Sequence, residues 1–358
     1  MAAYVTLPTQ RLHAATAAIF RAVGSNEREA TLTADHLVLA NTSGHDSHGV
    51  GMIPQYIDSL RAGRAHVNQK IKIANDAGAI VTIDGQRGVG QVMAYESMEF
   101  GIERAKQLGV CIVGLRNSHH IGRIGHWGEQ CARAGMVSIH YVNVAHVRAA
   151  VAPWGGTDAR FGTNPYCTAI PTASGEPVLL DFATSKIAVG KVRVAMNKGD
   201  QVAPGILLDG NGLASTDPNV MFSLPCGALM PFGDHKGSGL SLVCELLSAA
   251  LTGGDLIPGT VNDGVIINAM LTIIFDPKRF GNPNYLADID RMIEWVKASP
   301  TAAGVDRIRT AGEPERERRK RFATEGVSVD PTTWEQILVA GESVGLARAK
   351  TLEIAGRT

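Results

Sequence analysis

Helical periodicity brackets this chain at both ends, and β-type runs fill the space between. Residues 10–23 carry Leu12, Ala15, Ala18, Ile19 and Val23 at helical spacing and stop at Gly24. Ser25 reads as the N-cap of a second helix over 26–40, with Glu29 adding negative charge to its first turns. A third helix is predicted over 53–62, closed by Gly63. After Val67 the period shortens. Residues 71–83 form a β-type run with a turn at Ala77-Gly78, followed by a helix at 92–108, a strand at 110–115, a helix at 125–134 and a strand at 136–144. That alternation builds an α/β layer. Residues 145–232 are rich in Gly and Pro and read as strands joined by long loops, 177–182 and 206–209 among them. A strong helix at 237–252, a β-branched strand at 265–275 and helices at 286–298, 313–324 and 333–344 complete the chain. The division predicted is a helical unit of 1–70 with 284–358, its two halves packed together, around an α/β body of 71–283.

Bulk composition narrows the partners. Across 358 residues, Lys+Arg and Asp+Glu balance at 34 each, so no overall field favours nucleic acid or an anionic membrane. No run approaches the roughly 20 apolar residues of a membrane span. Residues 1–16 lack the basic start and apolar run of a secretory leader, and the five cysteines form no CxxC pair. Reduced thiols in a cytoplasmic protein are expected.

Five of the eleven histidines fall in two short glycine-flanked segments, His45-Asp46-Ser47-His48-Gly49 and Asn117-Ser118-His119-His120-Ile121-Gly122-Arg123-Ile124-Gly125-His126. Imidazole titrates near neutrality, so such clustering points to proton transfer or metal ligation. The spacing matches no HExxH-type zinc motif and acidic ligands are scarce near the second cluster, so no metal is expected. Four GxG pairs occur, none completing GxGxxG, and Gly190-Lys191 is followed by Val192 rather than Ser or Thr. A dinucleotide, if bound, does not use the ordinary Rossmann fingerprint. No GxSxG elbow supports a serine hydrolase. The remaining constellation fits hydride transfer with an acid/base histidine: His120 or His48 moves the proton, Ser47 orients the substrate, and Arg123 or Lys236 offsets negative charge. Other acid/base chemistry has the same spacing.

Six motifs taken together resemble the malate/L-lactate dehydrogenase family that lacks a Rossmann fold. They are His45-Asp46-Ser47-His48-Gly49, Asn117 to Gly122, Ala152-Pro153-Trp154-Gly155-Gly156, Gly162-Thr163-Asn164-Pro165, Asp181-Phe182-Ala183-Thr184-Ser185 and His235-Lys236-Gly237. Their order and spacing agree from about residue 10 to 350. The resemblance implies a homodimer with a mixed-sheet α/β nucleotide core that reduces 2-oxo acids with NAD or NADP as cofactor. It sets His120 as the acid/base histidine, with Ser47 and His48 facing substrate and nicotinamide. Which of the two histidines gives the proton stays open, and His48 could instead hold the cofactor. The dinucleotide would run past Gly122, Arg123 and Ile124, then Val178, Leu179, Leu180, Asp181 and Phe182, then Lys236 and Asn268. Gly312, Glu313, Pro314 and Glu315 are either a further cofactor contact or a simple helix start. Tyr56 is placed with Ser47 and His120 at the substrate. Relatives of the family also reduce cyclic imine (ketimine) carboxylates, which is the alternative activity.

Two departures stand out. Where many relatives carry an arginine to clamp a substrate carboxylate, residues 50–56 hold no cation. The 143–152 loop is long and contains His146 and Arg148, and Arg148 is the candidate replacement. The run Glu315-Arg316-Glu317-Arg318-Arg319-Lys320-Arg321 interleaves charges and reads as a solvated helix face.

Overall fold

The computed structural model describes residues 4–357; the first three residues of the segment read for a leader, and Thr358, lie outside them. The chain opens with β1 (Val5–Leu7), α1 (Thr9–Ala22), α2 (Glu27–Thr42) and α3 (Ile53–Arg61). Asn26, not Ser25, caps α2. Its side-chain oxygen accepts the Glu29 amide at 2.9 Å, while Ser25 Oγ donates to the Glu29 carboxylate at 2.6 Å. The better cap wins because its oxygen reaches the third amide of the helix.

The hairpin β2 (Lys72–Ala77) and β3 (Ile80–Asp84) leads into α4 (Gly90–Leu108), β4 (Val110–His119), α5 (Gly125–Arg133) and β5 (Val137–Ala145). Next come β6 (Tyr166–Ile170), β7 (Val178–Phe182), α6 (Val189–Lys198) and three two-residue strands, β8 (Leu207–Leu208), β9 (Ala214–Ser215) and β10 (Ala228–Leu229). No local pattern predicts α6. Gly190 and three valines give it poor intrinsic helicity, and tertiary burial of Val192 in a small core with Val151, Leu207, Met221 and Leu229 overrides that. The chain then forms α7 (His235–Glu245), which runs into a wider π-type turn at Leu246–Ala250, and β11 (Ile267–Phe275). It ends with α8 (Tyr285–Lys297), α9 (Glu313–Glu325), β12 (Val327–Val329), α10 (Pro331–Ser343) and α11 (Arg348–Ile354).

The main sheet has seven strands in the order β2-β3-β4-β11-β5-β6-β7. Only β3 and β4, joined through α4, pair in parallel; the other neighbours are antiparallel. This mixed sheet is unlike the parallel sheet of a Rossmann domain. β11 lies at its centre, and Ile267 to Leu271 are all buried, the one polar side chain among them, Asn268, being hydrogen-bonded. Met93, Met98, Ile102, Trp127 and Cys131, from α4 and α5, pack on one side of the sheet.

The two chain ends share one core. Leu12, Ile19, Phe20, Leu37, Ile53 and Ile57 pack with Val327, Trp334, Ile337 and Leu338, and β1 pairs antiparallel with β12. α8 is the exception to the packing expected for the 284–358 segment. None of its side chains is buried, and Met292 and Trp295 are 56% and 73% exposed, because its apolar side meets no core within the described chain.

Candidate active site

Both histidine segments sit at joints of the fold. His45 to Gly49 leaves the C-terminal end of α2 through single 3-10 turns, where Asn41 Oδ1 accepts the Val50 amide at 2.8 Å and its amide group donates to Asp46 at 2.7 Å. His119 ends β4, and residues 120–124 cross to α5 without regular structure. Asn268, on the neighbouring β11, accepts the Ile121 amide at 3.0 Å and donates to the Asn143 carbonyl at 2.7 Å, so the crossing is pinned to the sheet. Gly122 has φ +73°, and a Cβ there would lie 2.1 Å from His36 Nε2. Only glycine allows that turn and that approach. His36 Nε2 in turn accepts the Arg123 amide at 2.8 Å.

The rings of His48 and His120 stack with centroids 5.6 Å apart. Each Nδ1 is held by a hydroxyl: Ser47 Oγ lies 3.0 Å from His48 Nδ1, and Tyr56 Oη lies 2.6 Å from His120 Nδ1. Gln91 Nε2 donates to Tyr56 Oη at 3.2 Å and to the His120 carbonyl at 3.3 Å. Tyr56 is 1% exposed, so it acts on anything beyond His120 through that ring. Burial holds His48 at about 4, helped by His45 and Arg123, and pushes His120 well below the usual imidazole range, helped by His48 and His119. Both rings are neutral at pH 7. His119, brought down to about 3 by burial, lies edge-on to Tyr56 at 4.9 Å, and its Nε2 is sealed without a partner. α6 meets this corner from the other side. Gly190 approaches so closely that a Cβ would lie 2.9 Å from Ser47 Cβ.

The remaining expected residues form a band leading away from the histidines. Asp181 on β7 accepts the Gly125 amide at 2.8 Å and lies 3.5 Å from Arg123 Nε. Arg123 is 3% exposed, and its Nε and one terminal nitrogen have no hydrogen-bond partner. The Leu179 amide donates to the Ala311 carbonyl at 3.1 Å, which seats Gly312 to Glu315 on β7, and Glu315 reaches His45 at 3.3 Å. Lys236, exposed in the first turn of α7, belongs to the β7 end of the band, since Phe232 just before it packs on Phe182 at 5.1 Å. Arg148 is not brought to the histidines. Its guanidinium donates to the carbonyls of Met221 at 2.8 Å and Gly227 at 3.4 Å. His146 bonds Asp255 at 2.9 Å instead. Among the described residues no cluster could hold a metal ion, and no helix is long and apolar enough to cross a membrane.

Sequence reasoning missed several participants. His36, Gln91, Glu129, Asn143 and Glu245 are buried polar residues that belong to none of the six motifs read along the chain. Glu129 pairs with Arg123 at 3.2 Å and Arg319 at 2.5 Å; burial works to raise its carboxyl, but the two guanidiniums hold it below the ordinary value. Arg319 thus turns inward, as does Arg316 toward the Pro177 carbonyl, so α9 is not simply a solvated face.

Comparison with known proteins identifies the family. The family model described as malate/L-lactate dehydrogenase matches residues 7–338. Hydroxycarboxylate dehydrogenase B of Escherichia coli O157:H7 is 48% identical over 340 residues, covering 94% of each chain. A solved Escherichia coli structure assigned as a malate/lactate dehydrogenase superposes with TM-score 0.93 at 45% identity, covering 98% of this chain and 99% of that one. The delta1-piperideine-2-carboxylate reductase of Pseudomonas syringae pvar. tomato superposes with TM-score 0.83 at 29% identity, over 94% and 99% of the two chains. A neutral histidine pair at the mouth of a polar band, on a mixed sheet without a Rossmann fingerprint, is thus carried by a chain that belongs to the malate/L-lactate dehydrogenase family.

Proposed function

We propose that this chain is an NAD(P)-dependent 2-hydroxycarboxylate dehydrogenase, equally a 2-oxo acid reductase, with His120 as the acid/base group. The observation that carries the reading is the stacked His48–His120 pair, each ring steered by a hydroxyl, at the end of a band of polar backbone and buried guanidinium. The band suits a long anionic ligand. Arg123 keeps one buried terminal nitrogen without a hydrogen-bond partner, and the left-handed turn at Gly122 gives the crossing a backbone that only glycine adopts here. Gly122, Arg123, Ile124, Val178 to Phe182, Lys236, Asn268 and Gly312 to Glu315 would hold the cofactor, with His48 at its reactive end. The nicotinamide would supply or accept the hydride at the carbon bearing the oxygen. His120 holds the proton at that oxygen, Ser47 orients His48, and Tyr56 fixes His120 from behind.

Arg148 is the cation proposed for the substrate carboxylate, although its guanidinium here is given to the Met221 and Gly227 carbonyls. The exposed apolar row Leu242, Val243, Leu246 and Leu251, with Met292 and Trp295 on α8, supports a homodimer that covers it. Five free cysteines, four of them buried, fit a reducing cytoplasm.

The likeness to a delta1-piperideine-2-carboxylate reductase favours one second reading, reduction of a cyclic imine carboxylate. Consumption of NADH and of NADPH, followed by absorbance against pyruvate, oxaloacetate, 2-oxoglutarate, phenylpyruvate and a cyclic imine acid, separates the two. Turnover of 2-oxo acids without added methylamine is expected. Turnover only with the amine or the cyclic imine would move the chain to the imine reductases.

A further inference from the structure

We infer that Gln91 and Tyr56 are positioning residues that hold His120 as its Nε2–H tautomer, so that the resting site presents a hydrogen-bond donor to an oxo group. This rests on the proposed function for its meaning, though not for its test.

The argument is one of donors and acceptors. The His120 backbone carbonyl can only accept, so the end of the Gln91 amide 3.3 Å from it must be the NH2 group. That group gives its other hydrogen to Tyr56 Oη at 3.2 Å. Tyr56 Oη, already accepting, still has its own hydrogen to place, and His120 Nδ1 lies 2.6 Å away. A proton on Nδ1 would set two donors against the hydroxyl and leave the phenolic hydrogen without an acceptor. His119 offers none within hydrogen-bond reach, because its Nε2 has no partner. In a site where Tyr56 is 1% exposed, an unmade donor biases the tautomers by roughly tenfold or more. The hydroxyl therefore donates to Nδ1, and the single ring proton of neutral His120 sits on Nε2.

Two further features support this chain of donors. Gln91 Oε1 is sealed without a partner, so the amide accepts a loss to keep its NH2 between Tyr56 and the backbone. His120 Nε2 has no partner among the described residues, yet it is not one of the sealed atoms, unlike Nε2 of His119. The donor thus faces the open side of the ring. An oxo acid can accept from it directly. A hydroxy acid's hydroxyl can accept from it too, but its own proton can pass to Nε2 only after the tautomer changes. If Nε2 passes its proton to that oxygen, Nδ1 takes the Tyr56 proton in exchange, so the ring stays neutral and the site is poised to receive the oxo acid.

Nitrogen-15 spectra of the full chain labelled at histidine, without substrate, read the tautomer directly. His120→Gln, by losing one ring's signals, assigns them. At pH 7.5 the expected result is a protonated Nε2 and an unprotonated, hydrogen-bonded Nδ1 for His120. In Tyr56→Phe, which keeps the ring against His119, the two nitrogens should move toward averaged values, and kcat for the oxo acid should fall about a hundredfold with cofactor Kd unchanged. A wild-type spectrum with the proton on Nδ1 overturns the inference. So does an unchanged His120 signal in Tyr56→Phe. An Nε2–H signal in a protein that turns over no 2-oxo acid leaves the tautomer standing and removes the proposed activity.

Discussion

Two pairs of histidines lie side by side in this protein, and they are built for different work. His48 and His120 stack at 5.6 Å; His36 and His126 lie with centroids 4.7 Å apart. All four rings are held neutral at pH 7 by burial. Residue type and protonation state therefore do not distinguish them. What differs is which nitrogen is already spent. His36 gives Nε2 to the Arg123 amide, stacks on Trp127 at 5.1 Å and leaves Nδ1 sealed, so it braces backbone. His120 gives Nδ1 to Tyr56 and leaves Nε2 without a partner and not sealed, so it can meet a ligand. A buried histidine becomes a candidate for chemistry through the direction of its unused nitrogen.

That contrast can be broken most directly at His120. His120→Ala is expected to lower kcat by about 10²–10⁴-fold, the ordinary worth of a positioned acid/base group. Steady-state kinetics checks this, and a loss below tenfold would remove His120 from the proton step. Acid should act on both pairs alike. Burial lowers His48 to about 4 and His119, His126 and His140 to about 3, against 6.5 in an unfolded chain, and it holds His36 and His120 well below 6.5 too. Between those values the unfolded state binds more protons, so stability is full above pH 6.5 and is lost as pH falls toward 4. Each histidine steepens the fall by about 1.4 kcal/mol per pH unit. Thermal unfolding from pH 8 to pH 4.5 tests this, and a flat Tm would contradict it.

His36→Ala sharpens the other side of the comparison. It strands the Arg123 amide and should cost about 1–3 kcal/mol in denaturant unfolding. It should raise cofactor Kd more than it lowers kcat at saturation; a kcat loss matching that of His120→Ala would erase the distinction. The smallest effect is expected at Arg148. Arg148→Ala should raise KM for the oxo acid several-fold with kcat near wild type. An unchanged KM would confine Arg148 to its Met221 and Gly227 carbonyls.

Much of the fold was legible along the chain. The helices at Thr9–Ala22, Gly90–Leu108 and Pro331–Ser343, the strand at Ile267–Phe275 and the first six residues of Val110–His119 follow from strong periodicity or apolar runs, whereas the polar Arg116 to His119 join the sheet by pairing with β3 and β11. The misses share a cause. α6 is made by the burial of Val192, and β1 and β12 are three residues each, held by pairing with one another across the whole chain. Local pattern carries no trace of either partner. Within the site, glycine-flanked histidines announced themselves because a motif concentrates its signal. His36 and Gln91 are single polar residues on helices, and their meaning comes from what lies opposite them.

Residue types and their neighbours are properties of the chain alone: two histidine segments, the glycines that let backbone crowd them, and an α/β body between helical ends. The resemblance is another, since it rests on the order and spacing of motifs. Tertiary structure decided which histidine nitrogens are free, that Arg148 points to carbonyls, and that Arg123 is buried against Glu129 and Asp181. The reason is physical. Hydrogen-bond direction and desolvation depend on atoms brought within about 3 Å, and for Tyr56, Gln91 and His120 those atoms are far apart in the chain.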